Sequence, residues 1–410
     1  MQSKKWDVAV IGGGAAGFFA AISVKQSNPE ASVILLEKSN KFLAKVKISG
    51  GGRCNVTNAC TDPKLLATHY PRGEHFLKKA FGKFGSKETM QWFEDHGVTL
   101  KTYPDGCVFP FSNDSQTVID CFLHQTEKHQ IQLELKSPVK ALHPHGKGFS
   151  LELNDEVIQA RKVILATGGQ PKKSGLDWIS ALGIKTIDPV PSLFTFNLPE
   201  NPINALMGIV VEQTEVRMEG TKLRAQGPLL ITHWGISGPA VLQLSAWGAR
   251  EIAVRNYHFT VYVNWLQAKE IEVNERLLKT QEQYAKKHLK NACPFDIPIR
   301  LWQHLLKKAG MADECTWQNC SERLRNKLVQ VLVNDRYEVS GKTTYKEEFV
   351  TAGGVCLTEV NHRTMESKKI PGLYVTGELL DVDGITGGFN FQAAWTTAYL
   401  AGRSAAELER

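Results

Sequence analysis

The chain has 410 residues, 42% hydrophobic and 22% charged, with 49 Lys and Arg against 42 Asp and Glu for a net charge of +7. That length exceeds one small core, and the composition excludes a disordered, collagen-like or disulfide-stapled chain. The mild positive balance fits an anionic ligand or nucleic acid as readily as a plain solvated surface.

The chain opens with strand, glycine turn, helix, strand and acid between Asp7 and Glu37. Val8, Val10 and Ile11 form a β-branched run that stops at Gly12-Gly13-Gly14-Ala15-Ala16-Gly17. Gly12 permits a tight turn, Gly14 lets backbone approach a pyrophosphate, and Gly17 lets helix and strand pack closely. The helix start at Ala15 and Ala16 offers free N–H groups and a partial positive charge to phosphates. Glu37, followed by Lys38, stands about 20 residues past Gly17, where a carboxylate accepts from a ribose 2′-OH. An acid there points to an unphosphorylated adenosine ribose, and the pattern alone does not separate FAD from NAD. Val8 to Val24 is apolar enough to imitate a membrane span, but its glycine cluster between two strands reads as a buried strand–turn–helix. No transmembrane segment is expected.

Residues 41–58, KFLAKVKISGGGRCNVTN, read as a loop rich in backbone donors. Gly51 and Gly52 lead into Arg53, Cys54 and Asn55, with Lys45 and Lys47 upstream. Such a loop can wrap a second side of a pyrophosphate or reach a flavin ring, which an NAD-only domain does not need. Arg53 and Lys47 are candidates to steady negative charge there. Cys54 has no partner at C-x-x-C spacing and reads as a small packed residue. The eight cysteines suggest free thiols in a reducing cytoplasm, and the start MQSKKWDVAV carries no separate apolar leader.

Helices are expected over 76–84, 87–96 and 116–129, with a hairpin around Pro104-Asp105-Gly106. Strands are expected at 131–135, 138–142, 149–153, 157–160 and 163–166, the last stopping at Ala166-Thr167-Gly168-Gly169. The histidines at 69, 75, 96, 124 and 129 follow no metal-ligand spacing, and no metal site is expected.

Near Pro189-Val190-Pro191 the texture changes. Short strands at 193–198, 208–218, 222–225, 229–232 and 257–266 read as a small β-barrel. Residues 232–240, THWGISGPA, read as a loop entering a helix with Pro239 in its first turn. His233 and Trp234 are candidates for lining a substrate cleft, against the alternative of a turn that caps the barrel. Helices follow at 267–290, from an Asp296 cap to Lys308, and at 321–334. From Thr351 the α/β texture returns, with a buried strand at 370–376 and then GELLDVDGITGGFNFQ, residues 377–392. Asp381 and Asp383 do not match a calcium loop. Asp381 reads instead as a ligand for ribityl or phosphate-side groups. A helix starting near Gly388 points its positive end at a ring. The expected partition is 1–190 with 346–410, then 191–266 with 335–345, then 267–334.

The blocks SGGGRCNVTN, ATGG, GPLLITHWGISGPA, TAGGV and GELLDVDGITGGFNFQ together resemble the BaiN-type, or aminoacetone-oxidase-like, family of bacterial FAD-dependent oxidoreductases. The resemblance implies a glutathione-reductase-type, Rossmann-like α/β domain assembled from both ends of the chain, with a β-barrel and a small all-α domain inserted. It implies FAD; the expected reaction passes a hydride to the flavin N5 from NAD(P)H or a small organic substrate, and electrons onward to a second substrate or to oxygen. It places the cofactor against Gly12, Gly14, Ala15, Ala16, Gly17, Glu37, Lys38, Lys47, Gly51 to Asn55, Val139 beside the adenine, Ala166 to Gly168, Gly377, Glu378, Asp381, Gly387, Gly388, Phe389 and Asn390. No nucleic acid and no membrane partner are expected, and the oligomeric state stays open. The alternatives are a flavoprotein that works with RNA and a non-catalytic FAD sensor.

Overall fold

A computed structural model describes residues 5–154, 156–343 and 350–408. Its packing resolves two compact units, Met1–Ser192 with Lys346–Arg410, and Leu193–Tyr345. The expected boundary at 345/346 falls outside the described residues.

The first unit is built on a seven-stranded sheet among the described residues. Lys5–Ile11 lies in the middle, parallel to Val33–Leu36 on one side and to Val157–Leu165 on the other. Val8, Ala9 and Val10 are fully buried, as a strand covered by helices on both faces must be. Gln132–Glu134 extends the sheet beyond Val33–Leu36, while Gly148–Glu152 and Ala141–His145 turn antiparallel beyond Val157–Leu165. Near its end Val157–Leu165 also takes Leu373–Val375 in parallel. The two strands expected at 157–160 and 163–166 are therefore one, because its two halves serve different partners on the same edge. Val139 falls in the link before Ala141–His145 rather than within a strand. Pro138 has no N–H to give a ladder there.

The helix Ala15–Ser27 packs along the C-terminal helix Phe389–Ala405. The crossing needs Gly402, where a Cβ would sit 2.5 Å from the Ala20 carbonyl oxygen. Gly402→Val should therefore cost about 1–3 kcal/mol by forcing the helices apart, read as a lower urea midpoint of the whole protein. Phe18, Phe19, Phe93, Phe122 and Trp395 fill the space beneath.

In the second unit seven strands curl into a barrel. Asp335–Ser340 lies at one edge beside His258–Asn264, and Lys342–Thr343 at the other edge beside Thr195–Asn197. Gly341 joins them, donating to the Tyr257 carbonyl at 2.9 Å and accepting from the Asn197 amide at 3.2 Å. The chain thus closes the sheet on itself and leaves no long free edge. Arg224–Thr232 is one strand where two were expected, with Gly227 at φ +137° carrying it through an irregular register. Gly235–Ser237 is a short strand where a loop was expected.

The helices of this unit share the barrel's core: Leu301, Trp302 and Leu328 are buried in one cluster with Val261 and Tyr337. After the helix Pro239–Val254, the one expected at 267–290 runs only Glu270–Gln283, shorter than its apolar period suggests. Past it the chain bridges His288 to Thr316, and Trp317 donates to the Lys287 carbonyl, so tertiary pairing overrides the helical pattern. Pro298, not Asp296, occupies the N-cap position of Ile299–Lys308, with no side-chain bond to the helix. Ser321 caps Glu322–Val333, accepting from the Leu324 amide at 3.4 Å.

Candidate functional site

Gly12, Gly14 and Gly17 of the first turn separate into two jobs. Gly12 sits at φ +113°, and a Cβ there would lie 2.3 Å from the Ala166 carbonyl oxygen. A Cβ at Gly17 would lie 1.8 Å from the Gly12 oxygen. Both are demanded by packing. A Cβ at Gly14 meets nothing within 4 Å. Gly14 caps the first helix without a side-chain bond, and no acid stands in the first turn. The first amide that bonds back is Phe18, to the Gly14 carbonyl at 3.1 Å. The amides of Ala15, Ala16 and Gly17 thus stand at an uncapped helix start beside the open Gly14, as an anion site requires.

Glu37 is fixed at the rim. Its Oε2 accepts the Gly13 amide at 2.7 Å and its Oε1 accepts the Ser39 amide at 2.7 Å. Lys38 is exposed. On the other side of the turn, the Ala166 amide donates to the Ile11 carbonyl at 2.8 Å and the Thr376 amide to the Leu165 carbonyl at 3.0 Å. Gly377, at φ +68°, approaches so closely that a Cβ would lie 2.8 Å from the Ala16 Cβ. The C-terminal segment thus reaches the start of the first helix. Gly168 is open, with nothing within 4 Å of a Cβ. Glu378 is a brace: it accepts the Thr351 amide at 3.0 Å and pairs with Lys45 at 2.7 Å.

Residues 44–52 are not the open loop expected from the sequence. A helix starts at Ala44 and breaks at Ser49, Gly50 and Gly51, the last two left-handed. Lys47 therefore sits on a helix, with its Nζ 3.1 Å from Gln116 Oε1 and 3.6 Å from Asp114. A Cβ on Gly51 or Gly52 would meet nothing within 4 Å. Arg53 lies with its guanidinium 4.3 Å from the Phe109 ring centre, and its Nε donates to the Gly50 carbonyl at 3.2 Å. Asn55 Oδ1 accepts the Val108 amide at 3.2 Å. Cys54 is fully buried, and burial pushes its thiol up to about 12. It holds no thiolate near neutrality, as its reading as a small packed residue expects. Ellman's reagent at pH 8 should leave Cys54 unmodified in the native protein and react with it only after denaturation, as peptide mapping would show.

The C-terminal helix is locked onto this segment. A Cβ at Gly388 would lie 2.5 Å from the Thr57 carbonyl oxygen, and Asn58 Nδ2 donates to the Gly387 carbonyl at 3.2 Å. Asn390 clamps the preceding loop, accepting the Gly384 amide and donating to its carbonyl, each at 2.9 Å. The Phe389 carbonyl accepts from the buried Tyr70 hydroxyl at 2.6 Å, and the Phe389 ring stacks on His69 with centres 4.3 Å apart. Gly388 carries no side-chain cap and the first turn has no acid, so this helix too presents unpaired amides. Asp381 is buried on the same loop.

The sequence offered no signal for Arg72. Its guanidinium pairs with Asp383, which also accepts from Ser192 Oγ at 2.6 Å. Burial holds the Asp383 carboxyl above its usual range, although Arg72 and Ser192 pull it down. Thr351 Oγ1 is buried without a hydrogen-bond partner among the described residues. His233 and Trp234 belong to the second unit, in the turn before Gly235–Ser237. The Trp234 indole N–H donates to Thr195 Oγ1 at 3.0 Å, and His233 is exposed against its ring. Among the described residues no group of three His, Cys, Asp or Glu could hold a metal ion. No described helix is long and apolar enough to cross a membrane.

The model of the HI0933-like protein Rossmann domain matches residues 6–404. The chain belongs to this family. Among curated relatives of this HI0933-like protein, the ribosomal RNA dihydrouridine synthase of Escherichia coli is 30% identical over 97% of each chain. The 3-dehydro-bile acid delta(4,6)-reductase of Clostridium scindens is 29% identical over 98% of this chain and 99% of its own. Among solved structures, the 3-ketosteroid-delta4-(5alpha)-dehydrogenase of Rhodococcus jostii superposes with a TM-score of 0.55 at 16% identity, covering 99% of this chain and 97% of that one. That likeness shows the fold alone. Membership of the family, with its curated reductase relative, makes the chain an FAD-dependent oxidoreductase with a Rossmann-type flavin domain. The open Gly14 cradle, the unpaired helix amides and the partnerless Thr351 hydroxyl all fit a dinucleotide flavin.

Proposed function

We propose that this HI0933-like oxidoreductase passes a hydride from NAD(P)H through the flavin N5 to a carbon–carbon double bond conjugated with a carbonyl. The observation that supports it most is the meeting of both chain ends: Gly377 packs on Ala16, and Gly388 on Thr57, within one unit. A cofactor cradle shaped this way has two uncapped helix starts. FAD, when bound, supplies the redox chemistry. The chain's residues supply position and charge. The amides beyond Gly14 hold the pyrophosphate, Glu37 accepts from the adenosine ribose, and Val139 lies by the adenine. Gly51 to Arg53 and Ala166 to Gly168 line the cofactor's path, and Asp381 takes the ribityl chain. The helix start at Gly388 lends its positive end to negative charge on the ring.

The choice of acceptor draws on the relatives. A dihydrouridine synthase and a delta(4,6)-reductase carry out the same operation on unlike molecules, saturating a C=C bond polarised by a carbonyl. The test is anaerobic stopped-flow. NADH or NADPH should bleach the ~450 nm flavin band, and an enone or uridine acceptor should restore it. A flavin that no donor reduces and no acceptor reoxidises would overturn the reading. A second reading, in which the acceptor is a base within RNA, is favoured by the whole-length relative that acts on ribosomal RNA. It requires RNA binding that weakens steeply with salt.

A further inference from the structure

Far from the cofactor cradle, the first unit carries a pocket of about 560 Å³ between the helix Glu74–Phe81, the turn at 361–364 and the later half of the C-terminal helix. None of its lining residues belongs to the cofactor set. Arg403 lies 14 residues along the helix from Phe389, roughly 20 Å at 1.5 Å per residue. Lys79, Lys83, Arg363 and Arg403 bring four permanent cations to it, against the single carboxylate of Glu407. Among the described residues Lys79, Lys83 and Arg363 pair with no acid. Arg403 donates, among the described residues, to a neutral group, the Tyr399 hydroxyl at 3.0 Å. Tyr399 itself is fixed by stacking on Phe84, with centres 4.2 Å apart. His362 is held below its usual range by its own partial burial and then by the charges of Lys79, Arg363 and Lys368. Positive charge there is left uncompensated by the protein.

Like charges gathered on packed elements cost free energy unless something neutralises them. Some cations elsewhere do meet an acid: Lys45 meets Glu378, Lys173 meets Asp188, and Lys369 meets Glu359. Two of the four cations are guanidinium groups, whose planar fork fits phosphate oxygens two at a time. An aromatic wall stands beside them. We propose that this pocket binds phosphate groups, carried either by a free nucleotide or by a nucleic-acid strand. The inference does not depend on the acceptor that the flavin reduces.

The test uses FAD-loaded protein, so that the dinucleotide cradle is filled. Inorganic pyrophosphate is titrated calorimetrically at low salt, and a labelled single-stranded RNA by anisotropy. Lys83→Ala/Arg363→Ala should weaken pyrophosphate binding about tenfold or more, the equivalent of one lost charged hydrogen bond. Its flavin spectrum should not change. Arg323→Ala/Lys327→Ala, in a basic groove of the second unit, should bind pyrophosphate as the parent does. RNA affinity falling in parallel in the first variant assigns the phosphate to a strand; RNA affinity unchanged while pyrophosphate is lost assigns it to a free nucleotide. No pyrophosphate binding by the parent, or equal binding by parent and Lys83→Ala/Arg363→Ala, overturns the proposal.

Discussion

Gly14→Asp is expected to leave the apoprotein as stable as the parent, or slightly more so, and to strip it of flavin. Position 14 is the N-cap of the first helix in extended backbone, φ −93° and ψ −168°, which any residue adopts. A Cβ there meets no protein atom within 4 Å. Asp is among the preferred N-caps and gains a few tenths of a kcal/mol over Gly. The same carboxylate would stand where a pyrophosphate has to lie. Two like charges about 4 Å apart at an intermediate effective dielectric repel by about 4 kcal/mol, or more than two orders of magnitude in affinity. Gly12→Ala should behave in the opposite way, because its Cβ collides with the Ala166 carbonyl and its φ is left-handed. It lowers the melting point before any question of cofactor arises. The ratio of flavin to protein absorbance, set against apoprotein Tm, separates the two. A yellow Gly14→Asp protein would remove the cradle from this account.

The second large effect is at Arg72. Arg72→Leu should cost about 3–5 kcal/mol, because it strands Asp383 with only Ser192 to donate to it. Asp383 has no exposed side-chain surface and Arg72 very little. The loss should depend on pH with a definite sign. Burial holds the Asp383 carboxyl above its unfolded value. Its contribution to stability is therefore complete below the unfolded pKa of about 3.9 and is lost as pH rises through the folded value. Without Arg72 the folded value rises further, so the variant's deficit should be smaller at pH 5 than at pH 8. Arg72→Leu/Asp383→Leu should recover most of the loss, since it removes both charges together. Urea midpoints at the two pH values check this. A deficit equal at both would mean that the pair is not where the energy lies.

What could be read from the chain alone were the places where one residue type answers a local demand. Gly12 and Gly17 announce a turn pressed against a strand, and Gly388 a helix start. The structure shows why no other residue fits at any of them. What escaped depends on partners remote in sequence. Nothing near Arg72 names Asp383. The single strand Val157–Leu165 looks like two until its three neighbours are known. The helix Glu270–Gln283 stops for the sake of a bridge between His288 and Thr316. Lys47 and Glu378 carry charge into the right neighbourhood, yet each is taken up by a protein partner. Charge alone could not reveal that.

Leu373–Val375 completes the central sheet against a strand that left the ribosome about 200 residues earlier. At 5–20 residues per second, the nascent amino-terminal half waits on the order of 10–40 s with one flank of Val157–Leu165 unzipped and the apolar side of Ala15–Ser27 bare. Assembly of the cofactor cradle is thereby deferred until the segment from Leu373 to Gly388 has been made. A message cut short before codon 373 would yield a colourless, sticky fragment, a natural client for chaperones.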